Sequence, residues 1–416
     1  MRKLIIVATT LVPSVALAGG YAIPNENARD LALGQATVAD QTGAGAVILN
    51  PAALAGPEGL ALSGSLEFLR NATDWSDPTL GSSSLVAKTN TPPAGAISFG
   101  QHLGNGMAYG VGVGMSVAGG GSLIWPNGWQ GQDYIQSVDQ KVYLMAAGAA
   151  FQPLPYVKIG ATFLRYQAEE ELHQELNYLD HEGDAGLALS GGASTFGVGI
   201  EVRVPQIPLT LGASYKHSAN LGLAGHAHFE GVPPQLSPMI HDQTVSEALK
   251  IPNVLDLGAA YAIDRHLKVM FDYTFERWTV YPEDRFVGSD GFTVVVPRDY
   301  HNAHIFRFGA EWSHPRFLPA LTLRAGLIRS LSNQPTDTVS PSLTDGDSWA
   351  PSIGLGFNIL RSLRVDVGYQ HAFFGDVTAS GTEALPGTYK THVDLFSIGL
   401  DWRTDLLGCH DHHDPQ

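Results

Sequence analysis

Apolar residues alternate with polar or small ones through most of the chain. Val198, Ile200, Val202 and Val204 are separated by Gly199, Glu201 and Arg203. Leu267, Val269, Phe271, Tyr273 and Phe275 are interleaved with Lys268, Asp272, Thr274 and Glu276. Leu363, Val365, Val367 and Tyr369 alternate with Arg364, Asp366, Gly368 and Gln370. A period of two is the mark of a strand with two unlike faces, and helical periodicity is scarce. A soluble sandwich also alternates, but here the non-apolar face carries charges and glycines in strand after strand, as a wet lumen would. The connections alternate too. Short ones fall at 102–105, 152–155, 205–208, 264–266, 314–319 and 360–362, and long ones near 70–91, 119–135, 168–193, 217–250, 281–301, 331–349 and 374–388. Tight turns on one side and long loops on the other predict an all-β, 14-stranded antiparallel transmembrane β-barrel over 58–403.

The ends of the chain read differently. Arg2 and Lys3 precede a short apolar core, and Ala16-Leu17-Ala18 forms a small-residue cleavage site. Residues 1–18 are thus a signal peptide, which places the mature chain outside the cytoplasm. Residues 19–57 are rich in Gly, Ala and Asn and close with Asn50-Pro51-Ala52. They fit either a disordered arm or a small hatch in the lumen, and their low charge favours the hatch. Residues 404–416 form a tail beyond the last strand, with Cys409, His410, His412 and His413 among acids. It reads as a flexible acidic tail rather than a metal site, because nothing fixes ligand geometry.

Composition narrows the classes. With 24 Lys+Arg against 40 Asp+Glu, the net charge is -16, which argues against a nucleic-acid partner. A single Cys excludes an internal disulfide framework, and no apolar run is long enough for a membrane helix. The motifs G-x-S-x-G, H-E-x-x-H, G-x-x-x-x-G-K-[ST] and G-x-G-x-x-G are absent, so the expectation is a protein that is not an enzyme and needs no metal or cofactor.

These residues resemble the FadL/TodX family of outer-membrane transporters for long-chain fatty acids and other hydrophobic compounds. The resemblance rests on Gly20-Tyr21-Ala22, the stretch Ala28 to Gly34, Asp40-Gln41-Thr42-Gly43 and Asn50-Pro51-Ala52. Ile251-Pro252-Asn253, Leu323-Arg324-Ala325-Gly326, Asp345 to Trp349 and Val365 to Tyr369 support it. It implies a bacterial outer-membrane channel, a monomer among membrane lipids, that takes up hydrophobic small molecules passively, long-chain fatty acids first. Aromatic hydrocarbons are the alternative cargo; a non-transporting barrel (adhesin, receptor or lipase) is the alternative class. It also implies that Tyr21, Asn50, Pro51 and Ala52 belong to a hatch, and that a kink in the third strand opens the wall sideways.

Three sets of residues are candidates for the transport chemistry. Gly106, Gly110, Gly112 and Gly114 in the third strand weaken the wall, or else make room for the hatch. Arg307, Arg324 and Arg364 face the lumen by strand parity and can hold a carboxylate headgroup, or else pair with lumen acids such as Glu311 and Asp366. Trp125 and Trp129 lie in an external loop with Trp75 in another; they suit a greasy capture groove, or else packing among the loops.

Overall fold

The structure is a computed structural model, described for residues 27–404 except 179–181, 316–317 and 382–384. The predicted signal peptide, Tyr21 and the C-terminal tail lie outside the described residues.

Fourteen long antiparallel strands close into a barrel. They are β1 (Gly59–Asp77), β2 (Pro93–Gly104), β3 (Met107–Ile124), β4 (Ser137–Leu154), β5 (Val157–Asn177) and β6 (Glu182–Arg203). β7 runs through Leu209–Lys216 and Ala219–Glu230, and β8 through Gln243–Ile251 and Val254–Ala262. β9 combines Leu267–Glu276 with Glu283–Gly288, and β10 combines Thr293–Pro297 with Ala303–Ser313. β11 (Leu321–Leu331), β12 (Ser348–Asn358), β13 (Leu363–Phe374) and β14 (Gly387–Thr404) complete the wall. Each strand pairs with the next, and β14 returns to β1 in a register running from Leu60↔Thr404 to Ser76↔Thr388. Closure leaves no sheet edge in the lipid, where an unpaired backbone group would find no water.

The outward residues form an apolar belt at the short-turn half of the wall. Ile159, Phe163, Phe196, Val198, Phe271, Phe308, Ile353 and Ile398 are all exposed there. The expected loops at 168–193 and 217–250 are instead mostly strand, because β5 to β8 continue past the belt. In this crown the chemistry inverts: β5 and β6 keep their parity, while β7 and β8 shift by one residue at the breaks 217–218 and 252–253. Leu172, Leu187, Leu189, Leu221 and Leu249 point inward and join one apolar cluster with Trp75, Trp125 and Trp129.

Residues 27–56 lie inside the barrel at belt level. Helix α1 (Ala28–Ala32) is capped by Asn27, whose side chain accepts from Asp30 N. Helix α2 (Ala46–Leu49) leads to Asn50 and a 3-10 turn, Pro51–Ala55, with Pro51 at its start. The inner wall meets this segment with glycines. A Cβ on Gly110 would run into the Leu54 carbonyl, one on Gly160 into Pro51, one on Gly199 into Asn50, and one on Gly326 into Gly34. Such close approach of two backbones is why the lumen face of these strands is rich in glycine.

Candidate functional site: a cavity above residues 27–56 and a break in the wall

Charge and hydrogen bonds fix the inner segment to the wall. Arg29 reaches Asp40 at 2.6 Å and Glu311 at 3.3 Å. Asp40 also meets Lys268 at 2.7 Å. Val38 N–H donates to Asp272 at 2.8 Å, and Gly34 N–H to Ser352 Oγ at 3.0 Å. The Asn50 side chain donates to Val38 O at 2.8 Å and Ile200 O at 3.3 Å, and accepts from Ala52 N–H. Burial pushes the Asp30 carboxyl up from its ordinary range, against the pull of Arg29 and hydrogen bonds from Gln41, Thr37 and Asn27.

Above this floor lies a cavity of about 130 Å³. Gln35, Thr37, Val38 and Gln41 form its base. One wall is polar, with Lys216, Asp256, Thr274, Glu276 and Arg307. The opposite wall is apolar, with Ala118, Val142 and Leu144, and Trp278 also lines it.

Ala118 marks the place where the wall itself breaks. The β2–β3 ladder ends at Gly95↔Met115. The β3–β4 register slips between Val117 and Gly119, a bulge that leaves Ala118 unpaired. Gly120 then takes φ +105, with Gln140 O in the place of any side chain. The neighbouring chain turns away at Pro92 and rejoins β3 only where Val86 N–H donates to Ile124 O at 2.8 Å. Between these points Lys88 Nζ reaches across, to Ser122 Oγ at 2.6 Å and to Asp139 at 3.5 Å. Below the break, a small hollow bounded by Gly95 and Met115 extends to Asn27 and Arg29.

The candidate residues separate on this geometry. Gly106, Gly110, Gly112 and Gly114 lie below the break, in or beside the fully paired part of β3. Gly106 sits in the turn at φ +75 against Pro155, and Gly110, Gly112 and Gly114 face Leu54 and Val47 of the inner segment. The last three clear space for that segment, and the discontinuity lies higher, at Ala118 to Gly121. Arg324 has a side chain of 0% exposure, held by Glu311 and Asp366 at 2.7 Å each. Arg364 bonds Asp366 at 3.0 Å, beside the same network. Only Arg307 of the three lines the cavity, where it donates to Thr274 while its Nε has no protein partner among the described residues.

Trp125 and Trp129 stack at 4.2 Å inside the loop layer, with Trp75 edge-on to Trp129 at 6.0 Å. Their indole N–H groups donate to Pro341, Ile135 and Pro386 carbonyls, so the three rings pin loops together and leave no open groove between them. Arg29 and Asp40 escape a reading by strand parity, because they lie off the strands, in α1 and in the chain that follows it. The available signal was Arg29 itself, the one basic residue of 27–56.

A family model described as outer membrane protein transport protein (OMPP1/FadL/TodX) matches residues 9–403. Among solved structures, a Pseudomonas aeruginosa FadL homologue superposes with a TM-score of 0.82 at 16% identity, covering 92% of this chain and 100% of that one. The P. putida toluene transporter TodX gives 0.72 at 16% identity, covering 93% and 99%. The Ralstonia pickettii toluene transporter TbuX gives 0.68 at 17% identity, covering 91% and 98%. No curated protein matches the sequence. The chain belongs to the OMPP1/FadL/TodX family, and is a bacterial outer-membrane transporter of hydrophobic compounds.

Proposed function

We propose that this transporter takes compact, mostly apolar molecules into the cavity above residues 27–56 and releases them sideways into the bilayer through the break between β2 and β3. The supporting observation is that one residue, Ala118, belongs both to the cavity wall and to the bulge at the break. Lateral release keeps an apolar solute out of water, which is worth about 0.8 kcal/mol for each CH₂. The packed inner segment closes the straight path through the lumen, so residues 27–56 act as a hatch.

Size and charge bear on the cargo. An engineered apolar cavity of about 150 Å³ holds one benzene ring, close to the volume above the hatch. Asp30, Asp256 and Glu276 outnumber Lys216 and Arg307 around that volume, which disfavours a carboxylate. A monoaromatic hydrocarbon therefore suits the cavity better than a long-chain fatty acid. The fatty-acid reading keeps one observation in its favour, the unpartnered Nε of Arg307, a donor for an acid headgroup whose tail extends into the break.

Uptake of a labelled monoaromatic hydrocarbon and of a labelled fatty acid in one host separates the two. The hydrocarbon should enter through the wild type, and Ala118→Trp should reduce that uptake to background while heat-modifiable gel mobility shows an intact barrel. Wild-type uptake by a folded Ala118→Trp variant would sink the lateral route. Fatty-acid uptake alone, lost in Arg307→Gln, would reverse the choice of cargo.

A further inference from the structure

The wall has a second interruption, between β8 and β9. Their ladder ends in the belt at Val254↔Glu276, with Arg277 N–H donating to Asn253 O at 3.0 Å, and resumes in the crown only at Ser246↔Val287. The strand segments between these points pair on their other sides: Glu247 and Leu249 of β8 with Leu223 and Leu221 of β7, and Asp284 and Arg285 of β9 with Val296 and Val295 of β10. Pro252 and Pro282 stand in the gap, one on each strand, and neither has an N–H to give to a ladder. The 3-10 turn Trp278–Val280 carries β9 further out of step.

Side chains fill the space that the backbones leave. Trp278 and Tyr281 each meet Tyr300 edge to face at 5.9 Å between ring centres, and all three rings are buried. Trp278 N–H donates to Glu276 at 2.7 Å. Ile251, Pro252, Glu276 and Trp278 also line the cavity, on β8 and β9, away from Ala118 on β3. The cavity therefore touches two interruptions, and they differ outside. Below the first, the outward residues Val111, Val113 and Met115 are exposed and apolar. Around the second, Arg277, Thr279 and Arg285 are exposed. The first faces lipid and the second faces water. Overhead, the crown core packs onto the cavity: Val142, Leu144, Ile251 and Trp278 belong to the same apolar cluster as Trp75 and Trp125.

We propose that the second interruption is the entrance for the cargo, with Trp278 the residue that admits or refuses a molecule by its size. A molecule arriving from water meets one ring on a single 3-10 turn there, whereas the way down from above runs through a packed core. A short turn opens more readily than such a core. The inference rests on the cavity as the holding site and applies to either cargo.

A reversible link across the gap tests it. In a Cys409→Ser background, which removes the chain's one thiol, Ala248→Cys and Pro282→Cys put a cysteine on each edge. A reducible bis-thiosulfonate linker ties the edges on whole cells, and intact mass shows that the link has formed. Labelled benzene and labelled oleate are the probes. The link should slow uptake of the carried probe about ten-fold or more, and reduction should restore it. Each single-cysteine chain treated alike should keep wild-type uptake. Trp278→Ala should raise naphthalene uptake above that of the wild type, and the link should stop that too. Wild-type uptake by the linked, folded protein overturns the entrance. Naphthalene uptake that is unchanged in Trp278→Ala, or that persists when this variant is linked, overturns the role of Trp278. If heat-modifiable mobility shows that the first pair misfolds, Lys250→Cys with Thr279→Cys links the same gap. Ala118→Trp run alongside keeps the two readings apart. Loss of uptake in Ala118→Trp with none in the linked protein overturns the entrance alone; the reverse overturns the lateral exit and leaves the entrance standing.

Discussion

β5 passes through two environments, and its two halves obey opposite rules. In the belt, Ile159 and Phe163 point outward, Phe163 with 55% exposure, while Thr162 is buried inside. In the crown, Glu169, Glu171 and His173 point outward, while Ala168 and Leu172 are fully buried inside. The strand does not slip; the solvent changes. Lipid outside a polar lumen filled by residues 27–56 asks for apolar-out, and water outside a closed crown asks for apolar-in. The belt is thus held by lipid and by charge pairs to the hatch, and the crown by a hydrophobic core like that of a soluble protein.

That contrast can be broken from either side. The largest effect should come from Glu311, which holds both Arg29 of the hatch and Arg324 of the wall. Glu311→Ala leaves two buried guanidiniums short of an anion and should cost about 3–5 kcal/mol. Urea unfolding in lipid vesicles measures the cost, and planar-bilayer conductance should rise as the hatch loosens. Next comes the belt surface. Ile353→Arg puts a charge in lipid at a site of 62% exposure, for about 2–4 kcal/mol. Glu171→Leu on the crown exterior should stay within about 0.5 kcal/mol.

A smaller effect, confined to the crown, depends on pH. Burial pushes the Glu170 carboxyl up from 4.5 to about 8, against the pull of its Gln140 hydrogen bond. A raised carboxyl pKa means that the stability linked to its protonation is full below 4.5 and is lost as pH rises through about 8. Hydrogen exchange of β5 and β6 should therefore quicken between those values. Glu170→Gln should flatten the profile, and a profile unchanged in that variant would assign the effect to another group. The smallest effect should be at the hatch cap. Asn27→Ala removes the acceptor for Asp30 N–H at 2.9 Å, worth about 1 kcal/mol, and should appear as added flicker in single-channel records.

The barrel was legible because strand parity survives translation from sequence to wall. Each tight turn fell where its glycine, proline or aspartate stood; Asp264, for instance, accepts from His266 and Leu267 N–H. The crown strands were read as loops because their sense is inverted: Glu169, Glu171 and His173 look like solvated loop until the inward Leu172 is matched with Leu187 across the hairpin and Leu176 is seen to pack with Ala185. The three arginines were all correctly turned inward, yet parity cannot tell which of them an acid already holds. For Arg324 it depends on Glu311, across the β10–β11 pair, and on Asp366, 42 residues away in sequence. Gly110, Gly112 and Gly114 carried two meanings, and the partner that decides between them, Leu54 or Val47, comes from another part of the chain.

The glycine-lined contact between hatch and wall also sets an order of assembly. Leu54, Pro51, Asn50 and Gly34 rest almost directly on the backbones of β3, β5, β6 and β11. A plug fitted this closely on many sides has no clearance to thread into a finished cylinder. The N-terminal segment must already be in place while the wall is still an open sheet, with the β1–β14 seam zipped last around it. The hatch then serves as a mandrel, and a chain that closes without it would be trapped as a hollow barrel with its template left outside.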